Sequence, residues 1–293
     1  MKQQFTGSPL SPRCHVCGST TSETFIRQHR FAIVKCTDCG LRYLYPQPEE
    51  VELSRLYGRE YFESADPALK GYSQYLADAD HLRRTFRSRL RLLKNIPRGK
   101  LLDVGAAAGF FVEQAILGGW DAEGVEPSAF ASSYARDTLK VKVHTGTLDS
   151  VPVGPGSYDL ATMWEVIEHL PDPRAVLNMV RRLLKPRGYL ALTTPDAGSL
   201  VARAAGRRWL GWRKIPEHLY YFDFKCLQEL LADTGFQILD HRYVSITVSA
   251  EFALRRFCDA IGVRPLRLPR ALGETSVSIN PFYDLFVLSR ALD

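Results

Sequence analysis

No stretch of about eighteen consecutive apolar residues, the length at which a helix can span a bilayer, occurs in this chain. Its polar start, Met1-Lys-Gln-Gln-Phe-Thr6, has no apolar core of the kind a secretory leader carries. A cytoplasmic protein without a transmembrane segment is expected. Internal repeats and low-complexity tracts are missing too, which excludes a solenoid. Charge of one sign is in small surplus: 38 Lys and Arg against 32 Asp and Glu leave +6, which suits an anionic partner or a plain solvated surface. Cysteine is scarce, six in all, and four of them stand in one N-terminal region. What the chain does have is 293 residues with 45% hydrophobic side chains, enough for one large domain and something small beside it.

The small part comes first. Cys14-His-Val-Cys17-Gly18 and Cys36-Thr-Asp-Cys39-Gly40 are two knuckles separated by eighteen residues. Together they offer four thiolates for one tetrahedral zinc, and the glycine after each pair relieves the turn that points the sulfurs inward. A disulfide pair is the alternative, and a reducing cytoplasm disfavours it. Four thiolates close the coordination sphere, so the metal would be structural, and His15 is expected to be exposed. Residues 24–29 and 31–35 read as a hairpin and 41–48 as an extended exit, followed by a short helix over Glu49–Tyr57. The basic residues of this module, Arg27, His29, Arg30, Lys35 and Arg42, form no uninterrupted cluster, so nucleic acid is not an expected partner. Cys226 and Cys258 are isolated and read as buried.

Residues 68–94 place Tyr72, Tyr75, Leu76, Ala79, Leu82, Phe86, Leu90 and Leu93 at helical spacing, with Arg83, Arg84, Arg87, Arg89 and Arg91 on the other face. That face reads as solvated, with a dedicated anion site as the alternative. From Leu101 onward strands and helices alternate, as a mainly parallel sheet covered on both faces requires. Strands are predicted near 101–104, 121–125, 141–145, 158–164, 189–194, 237–245 and 284–290, and helices near 109–118, 128–138, 173–185 and 225–234.

The segment Lys100-Leu-Leu-Asp103-Val-Gly105-Ala-Ala107-Ala-Gly109-Phe110 is a strand, a turn of small residues and a helix start. A second strand ends in Glu126, about twenty positions further on, where a carboxylate can accept both hydroxyls of a ribose. A dinucleotide turn needs a third glycine where Phe110 stands, which argues for a nucleoside ligand other than NAD. The fourth strand empties into Glu165, Glu168 and His169, just beyond a carboxyl edge, where open α/β sheets bind their ligands.

The pattern Asp103-x-Gly105-x-Ala107-x-Gly109 resembles the first motif of class I S-adenosylmethionine (SAM) methyltransferases, with Ala107 in place of the usual middle glycine. With the run from Tyr158 to Pro173, Leu183 to Pro195 and Pro216-Glu-His-Leu-Tyr-Tyr-Phe222, the chain looks like class I methyltransferases that carry an N-terminal zinc-binding module. Members of that group accompany sugar, polysaccharide and natural-product pathways. The Glu165-x-x-Glu168-His169 run is also similar to ubiquinone-pathway O-methyltransferases. The likeness covers residues 14 to about 245 and the last strand.

The resemblance implies a Rossmann-like α/β fold, with a mainly parallel seven-stranded sheet whose last strand is antiparallel, plus the zinc ribbon. It implies a ribbon over 1–48, a helical linker over 49–98 and a SAM-binding domain over 99–293 with an acceptor-covering insertion at 196–224. SAM would lie against Asp103, Gly105, Ala107 and Gly109, with its ribose on Glu126, its adenine flanked by Thr147 and Leu148, and its other side lined by Met163 and Trp164. Core filling is the alternative for Met163 and Trp164. His169 and His218, each in a Glu-His-Leu triplet, are the candidate bases, with capping of the following turn and anchoring of a loop as alternatives, and Glu165 or Glu217 is the carboxylate substitute. Analogy with the ubiquinone enzymes adds a cation on Glu165, Glu168 and His169. In the insertion, Arg207, Arg208, Arg213 and Lys214 alternate with Trp209 and Trp212, a mixture that suits a phosphate-linked sugar or a peripheral membrane contact, or tryptophans packed under a lid. The function expected is methylation of a hydroxyl on a small or glycosyl acceptor. Sugar C-methylation and a noncatalytic SAM- or zinc-ribbon scaffold are the alternatives.

Overall fold

A computed structural model of the chain describes residues 13–49, 52, 75–261, 263–264 and 268–293. Most of the helix expected over Glu49–Tyr57 and residues 68–74 of that expected over 68–94 lie outside the described residues; in the latter, residues 75–78 form turns and the helix itself is shorter than expected, Ala79–Leu92. The chain opens with three antiparallel strands, β1 (Ser22–Gln28), β2 (Phe31–Cys36) and β3 (Arg42–Tyr45). The remainder runs α1 (Ala79–Leu92), β4 (Lys100–Val104), α2 (Phe110–Leu117), β5 (Asp121–Glu126), α3 (Ala129–Asp137), β6 (Val143–Thr145), β7 (Tyr158–Trp164) and α4 (Pro173–Leu183). It continues with β8 (Leu184–Pro195), α5 (Leu200–Ala205), β9 (Tyr220–Tyr221), α6 (Phe224–Asp233), β10 (Phe236–Tyr243), β11 (Ile246–Ser249), α7 (Ala250–Ile261), α8 (Arg270–Gly273), β12 (Ser276–Ile279) and β13 (Asp284–Ala291).

Local chemistry explains most of these boundaries. Asp172 accepts the Ala175 N–H at 3.0 Å and is followed by Pro173, whose fixed φ suits the first helical position of α4. Asp223 caps α6 through the Cys226 N–H at 2.8 Å. The strands β4, β7 and β8 carry near-continuous apolar runs because helices cover both faces of their sheet.

The seven-stranded sheet has the order β10-β13-β8-β7-β4-β5-β6. Strand β13 runs antiparallel to both neighbours, β8 and β10, and the others are parallel, as expected. The chain moves from β4 outward through β5 to β6, then returns to β7 on the other side of β4. That reversal opens a crevice beyond the carboxyl ends of β4 and β7, the place where such sheets bind ligands.

The ribbon does not stand apart from this domain. Its sheet takes a fourth strand, β9, from the segment after β8, in the order β1-β2-β3-β9. The Leu44 N–H donates to the Leu219 carbonyl at 2.8 Å, and the Arg174 guanidinium at the start of α4 donates to the carbonyls of His15 (3.1 Å) and Val16 (2.7 Å). Ile33, Leu41 and Leu44 share one apolar core with Leu219, Tyr220, Phe222 and Leu227.

Three expectations are corrected. His15 is half-buried, with its ring edge-on to Tyr220 at 5.5 Å and Nδ1 3.4 Å from Asp172, because α4 closes over the first knuckle. The basic face of α1 is not wholly solvated: Arg89 is 3% exposed and donates to Asp284 Oδ2 at 2.7 Å. Trp209 and Trp212 are buried, edge-on to each other at 4.8 Å, with Trp212 packed on Phe25 of the ribbon and Tyr221. They fill the joint between ribbon and insertion instead of offering an aromatic face to a sugar.

Candidate active site

The turn after β4 is built of bare backbone. Gly105 (φ 74°) and Gly109 (φ 83°) lie in the left-handed region that glycine tolerates. A Cβ at Gly105 would come within 2.6 Å of Val166, and one at Gly109 within 2.8 Å of Ala135. Ala107 is also left-handed (φ 46°), and what holds it there is its N–H, which donates to Glu126 Oε2 at 2.9 Å. Glu126 accepts a second backbone bond from Ser128 N–H at 2.8 Å. Burial nonetheless pushes the Glu126 carboxyl up to about 7. Asp103 is buried as well and is pushed up to about 8, although Thr162 Oγ1 donates to it at 2.6 Å.

Tyr75 packs against Phe110 with ring centroids 5.7 Å apart and lies close enough to feel the charges of both Asp103 and Glu126. Its phenol is held protonated, first by burial and then by those two carboxyls. Sequence periodicity assigned Tyr75 only to a helix face and gave no sign that it reaches these groups. Thr147 is exposed and donates to Asp149 at 2.6 Å, while Leu148 is buried beside it. Met163 is fully buried in the main core, and Trp164 stacks on Phe286 (6.3 Å) with Phe111 tilted against it (5.0 Å).

A second cluster forms across the same edge, where β7 ends. Residues Ile167–His169 make a single 3-10 turn that presents Glu168 and His169 toward His218 of the insertion. The rings of His169 and His218 meet edge-on at 4.7 Å. His169 Nδ1 lies 2.9 Å from the Glu217 carbonyl, which can only accept, so Nδ1 carries the proton and Nε2 is the basic nitrogen. Burial lowers the His169 imidazole to about 4 and His218 well below its ordinary value, so both are neutral near pH 7. Leu219 fixes the arrangement: its N–H donates to the Glu168 carbonyl at 2.8 Å while its own carbonyl receives Leu44 of the ribbon.

Glu168 is buried, accepts from Thr194 Oγ1 at 3.0 Å, and is pushed up to about 8 by burial. One ligand atom from each of Glu168, His169 and His218 lies within 4.8 Å of the others. Glu165 stands outside this group, contrary to the expected Glu165, Glu168 and His169 set. Its backbone is left-handed (φ 55°) and its carboxyl meets Asp284 at the start of β13, a residue that no motif in the sequence marks. In the ribbon, the Sγ atoms of Cys14, Cys17, Cys36 and Cys39 converge within 4.8 Å, the pairs Cys14–Cys39 and Cys17–Cys36 each at 3.5 Å.

A methyltransferase-domain family model matches residues 75–241. The chain is 35% identical over 102 residues to a ubiquinone biosynthesis O-methyltransferase from Vibrio atlanticus, covering 32% of this chain and 43% of that protein. It is 31% identical over 182 residues to an uncharacterized transposon protein from Streptomyces fradiae, covering 60% of this chain and 51% of that one. The chain thus spans about half the length, or less, of these curated relatives. Among solved structures, a SAM-dependent methyltransferase from Thermotoga maritima, described as a possible histamine N-methyltransferase, aligns with a TM-score of 0.51 at 22% identity, covering 76% of this chain and 96% of that one. A putative methyltransferase from Haloferax volcanii, solved with the activator Trm112, aligns with a TM-score of 0.53 at 16% identity, covering 74% and 94%. These two carry the fold alone. The nucleoside-type turn, the switch-point crevice and the family match over more than half of its length agree: the chain belongs to the SAM-dependent methyltransferases of the class I, Rossmann-like fold.

Proposed function

We propose that the protein methylates a hydroxyl group of a small acceptor, with His169 as the proton acceptor, and that its four N-terminal cysteines hold one structural zinc. SAM, when bound, supplies a methyl group on a sulfonium. Glu126 is suited to the ribose hydroxyls, since a buried carboxylate there can take two donors. Asp103 and the bare backbone from Gly105 to Gly109 form the cradle for the methionine end, where added side chains would collide with Val166 and Ala135. Thr147 and Leu148 border the adenine side, and Trp164 the opposite one. Four convergent thiol sulfurs are the donor set of a closed tetrahedral zinc site, which supplies structure and leaves no position open for reaction.

The observation that carries the acceptor reading is the neutral, tautomer-locked His169 in contact with His218. A hydroxyl must lose its proton near the moment of attack, and an imidazole whose basic nitrogen is fixed by a carbonyl behind it is arranged to take that proton. His218 buttresses the ring and excludes water. The likeness to ubiquinone O-methyltransferases makes a phenolic hydroxyl the first acceptor to try, while burial of Trp209 and Trp212 removes the main support for a glycosyl one. The test is His169→Gln assayed against a panel of phenols and glycosides with labelled SAM. Turnover should fall by about a hundredfold or more, with SAM affinity by calorimetry unchanged. Near-normal turnover would remove His169 from the mechanism.

A further inference from the structure

We infer that Asp284, anchored by Arg89, is a positioning residue that holds Glu165 as a neutral carboxylic acid at the edge of the acceptor site, with one proton shared between the two carboxyl groups. The inference rests on the reading of this edge as the acceptor side of the pocket.

Three observations meet here. The carboxyls of Glu165 and Asp284 are in contact, and each keeps a buried oxygen, Glu165 Oε1 and Asp284 Oδ1, with no donor. Two acceptors pressed together in the interior are unfavourable unless a proton lies between them, which converts one into a donor. Arg89 then sets how many charges the pair can carry. Its side chain is 4% exposed, it binds Asp284 Oδ2 at 2.7 Å and the Ser245 carbonyl at 3.3 Å, and it compensates one negative charge. A second anion on Glu165 would be buried without a counterion.

Among the described residues, the other groups acting on Glu165 give it no such counterion. Glu168, on the 3-10 turn, is a like-charged neighbour, and Thr193 of β8 provides a hydrogen bond that favours the Glu165 anion. Burial, Asp284 and Glu168 together raise the Glu165 carboxyl well above its usual range. The left-handed backbone at Glu165 is kept in place by its N–H, which donates to the Thr193 carbonyl at 3.1 Å, so the side chain is held toward β13 at some conformational cost.

The chemistry gives a reason for a neutral group at this position. The positive charge of the methyl donor disperses as the methyl departs, so a full anion alongside would stabilise the ground state more than the transition state. A neutral acid still orients an acceptor by hydrogen bonding without that penalty. Asp284 itself lies on the far side of Glu165, paired to Arg89, and acts only through it.

Infrared difference spectroscopy of the whole protein at neutral pH tests the shared proton without any acceptor. Wild type minus Glu165→Gln should show one lost carboxylic-acid carbonyl band that shifts in deuterium oxide, and Asp284→Asn, whose amide can donate to Glu165, should lose the same band. No lost band in Glu165→Gln, in a variant that still binds SAM, would overturn the inference. Where an acceptor is in hand, Asp284→Asn should lower kcat by about tenfold. Wild-type kcat should also fall as pH rises through loss of the shared proton, and Glu165→Gln should lack that limb. A hundredfold loss in Glu165→Gln would make Glu165 an acid–base catalyst and sink the positioning role.

Discussion

Replacing Cys36 by Ser should injure the acceptor side of the pocket and spare the cofactor side, because the ribbon and the acceptor loop belong to one sheet. The joint is held by Leu44 N–H to the Leu219 carbonyl (2.8 Å), Gln47 to the Tyr220 hydroxyl (3.0 Å), and Arg174 to the carbonyls of His15 (3.1 Å) and Val16 (2.7 Å). At about 1 kcal/mol each these contribute roughly 4 kcal/mol. Leu44 and Leu219 are fully buried at the joint, and exposing each costs about 1.5–3 kcal/mol more. The total, roughly 7–10 kcal/mol, is less than the ~10–16 kcal/mol that a structural zinc contributes to a small ribbon at neutral pH. Losing the metal is therefore enough to release the joint. Leu219 would then no longer hold Glu168, and Glu217 and His218, which both contact His169, would lose their fixed places. Asp103 and Glu126 are held by Thr162, Ala107 and Ser128, none of them in the ribbon. Metal analysis should find about one zinc per wild-type chain and none in the variant. Hydrogen exchange should rise over residues 216–222, turnover should fall by about a hundredfold, and SAM affinity should stay within about threefold. A zinc-free variant, or a chelated wild type, that keeps both its turnover and its protection at 216–222 would refute the coupling.

Glu126→Ala should weaken SAM binding by about 1.5–3 kcal/mol, the range for hydrogen bonds to a charged group, and unchanged affinity by calorimetry would remove Glu126 from the ribose site. Because burial raises Glu126 to about 7 and donors on the ligand would favour its anion, SAM binding below that pH should release a proton. Calorimetry in buffers of different ionisation enthalpy should show this release in the wild type and lose it in Glu126→Gln. The stability of the cofactor-free protein should fall between about pH 6.5 and 8. Asp103 and Glu168, both raised to about 8, stay protonated in the folded chain and ionise in the unfolded one, so the unfolded state binds fewer protons and stability declines as pH rises. His169, lowered to about 4, and His218 act in the opposite direction only below about pH 6.5, where the unfolded histidines take up protons. The denaturant midpoint should track this decline, and Glu168→Gln should flatten it; a midpoint that holds steady or rises over the window would contradict the burial argument.

The seven strands of the large sheet and four of its helices, α2, α3, α4 and α6, are legible in the sequence in their right order, whereas α5, β9, β11, α8 and β12 are not. The boundaries of the legible elements follow, to within a few residues, from local signals that need no tertiary context: apolar runs for strands buried on both faces, Asp172-Pro173 and Asp223 at helix starts, and small residues at the turn after β4. The Cys-x2-Cys-Gly knuckles and the acidic end of β5 are legible for the same reason, since the spacing that makes the chemistry is short. Which groups are buried together emerges only when the chain folds. Arg89 looks like one more charge on a basic helix face until β13 brings Asp284 to it from 195 positions away, and nothing near Asp284 in sequence marks it as a partner of Glu165. The two tryptophans of the insertion read equally well as a sugar platform or as packing, because an aromatic side chain has the same local pattern in both; docking of the ribbon against them selects packing. Long-range pairing also joined the ribbon to the segment that carries His218, through two residues of β9 too short to register as a strand by periodicity. Charge burial and strand pairing across the chain depend on which distant surfaces exclude water together, and that is a property of the folded whole.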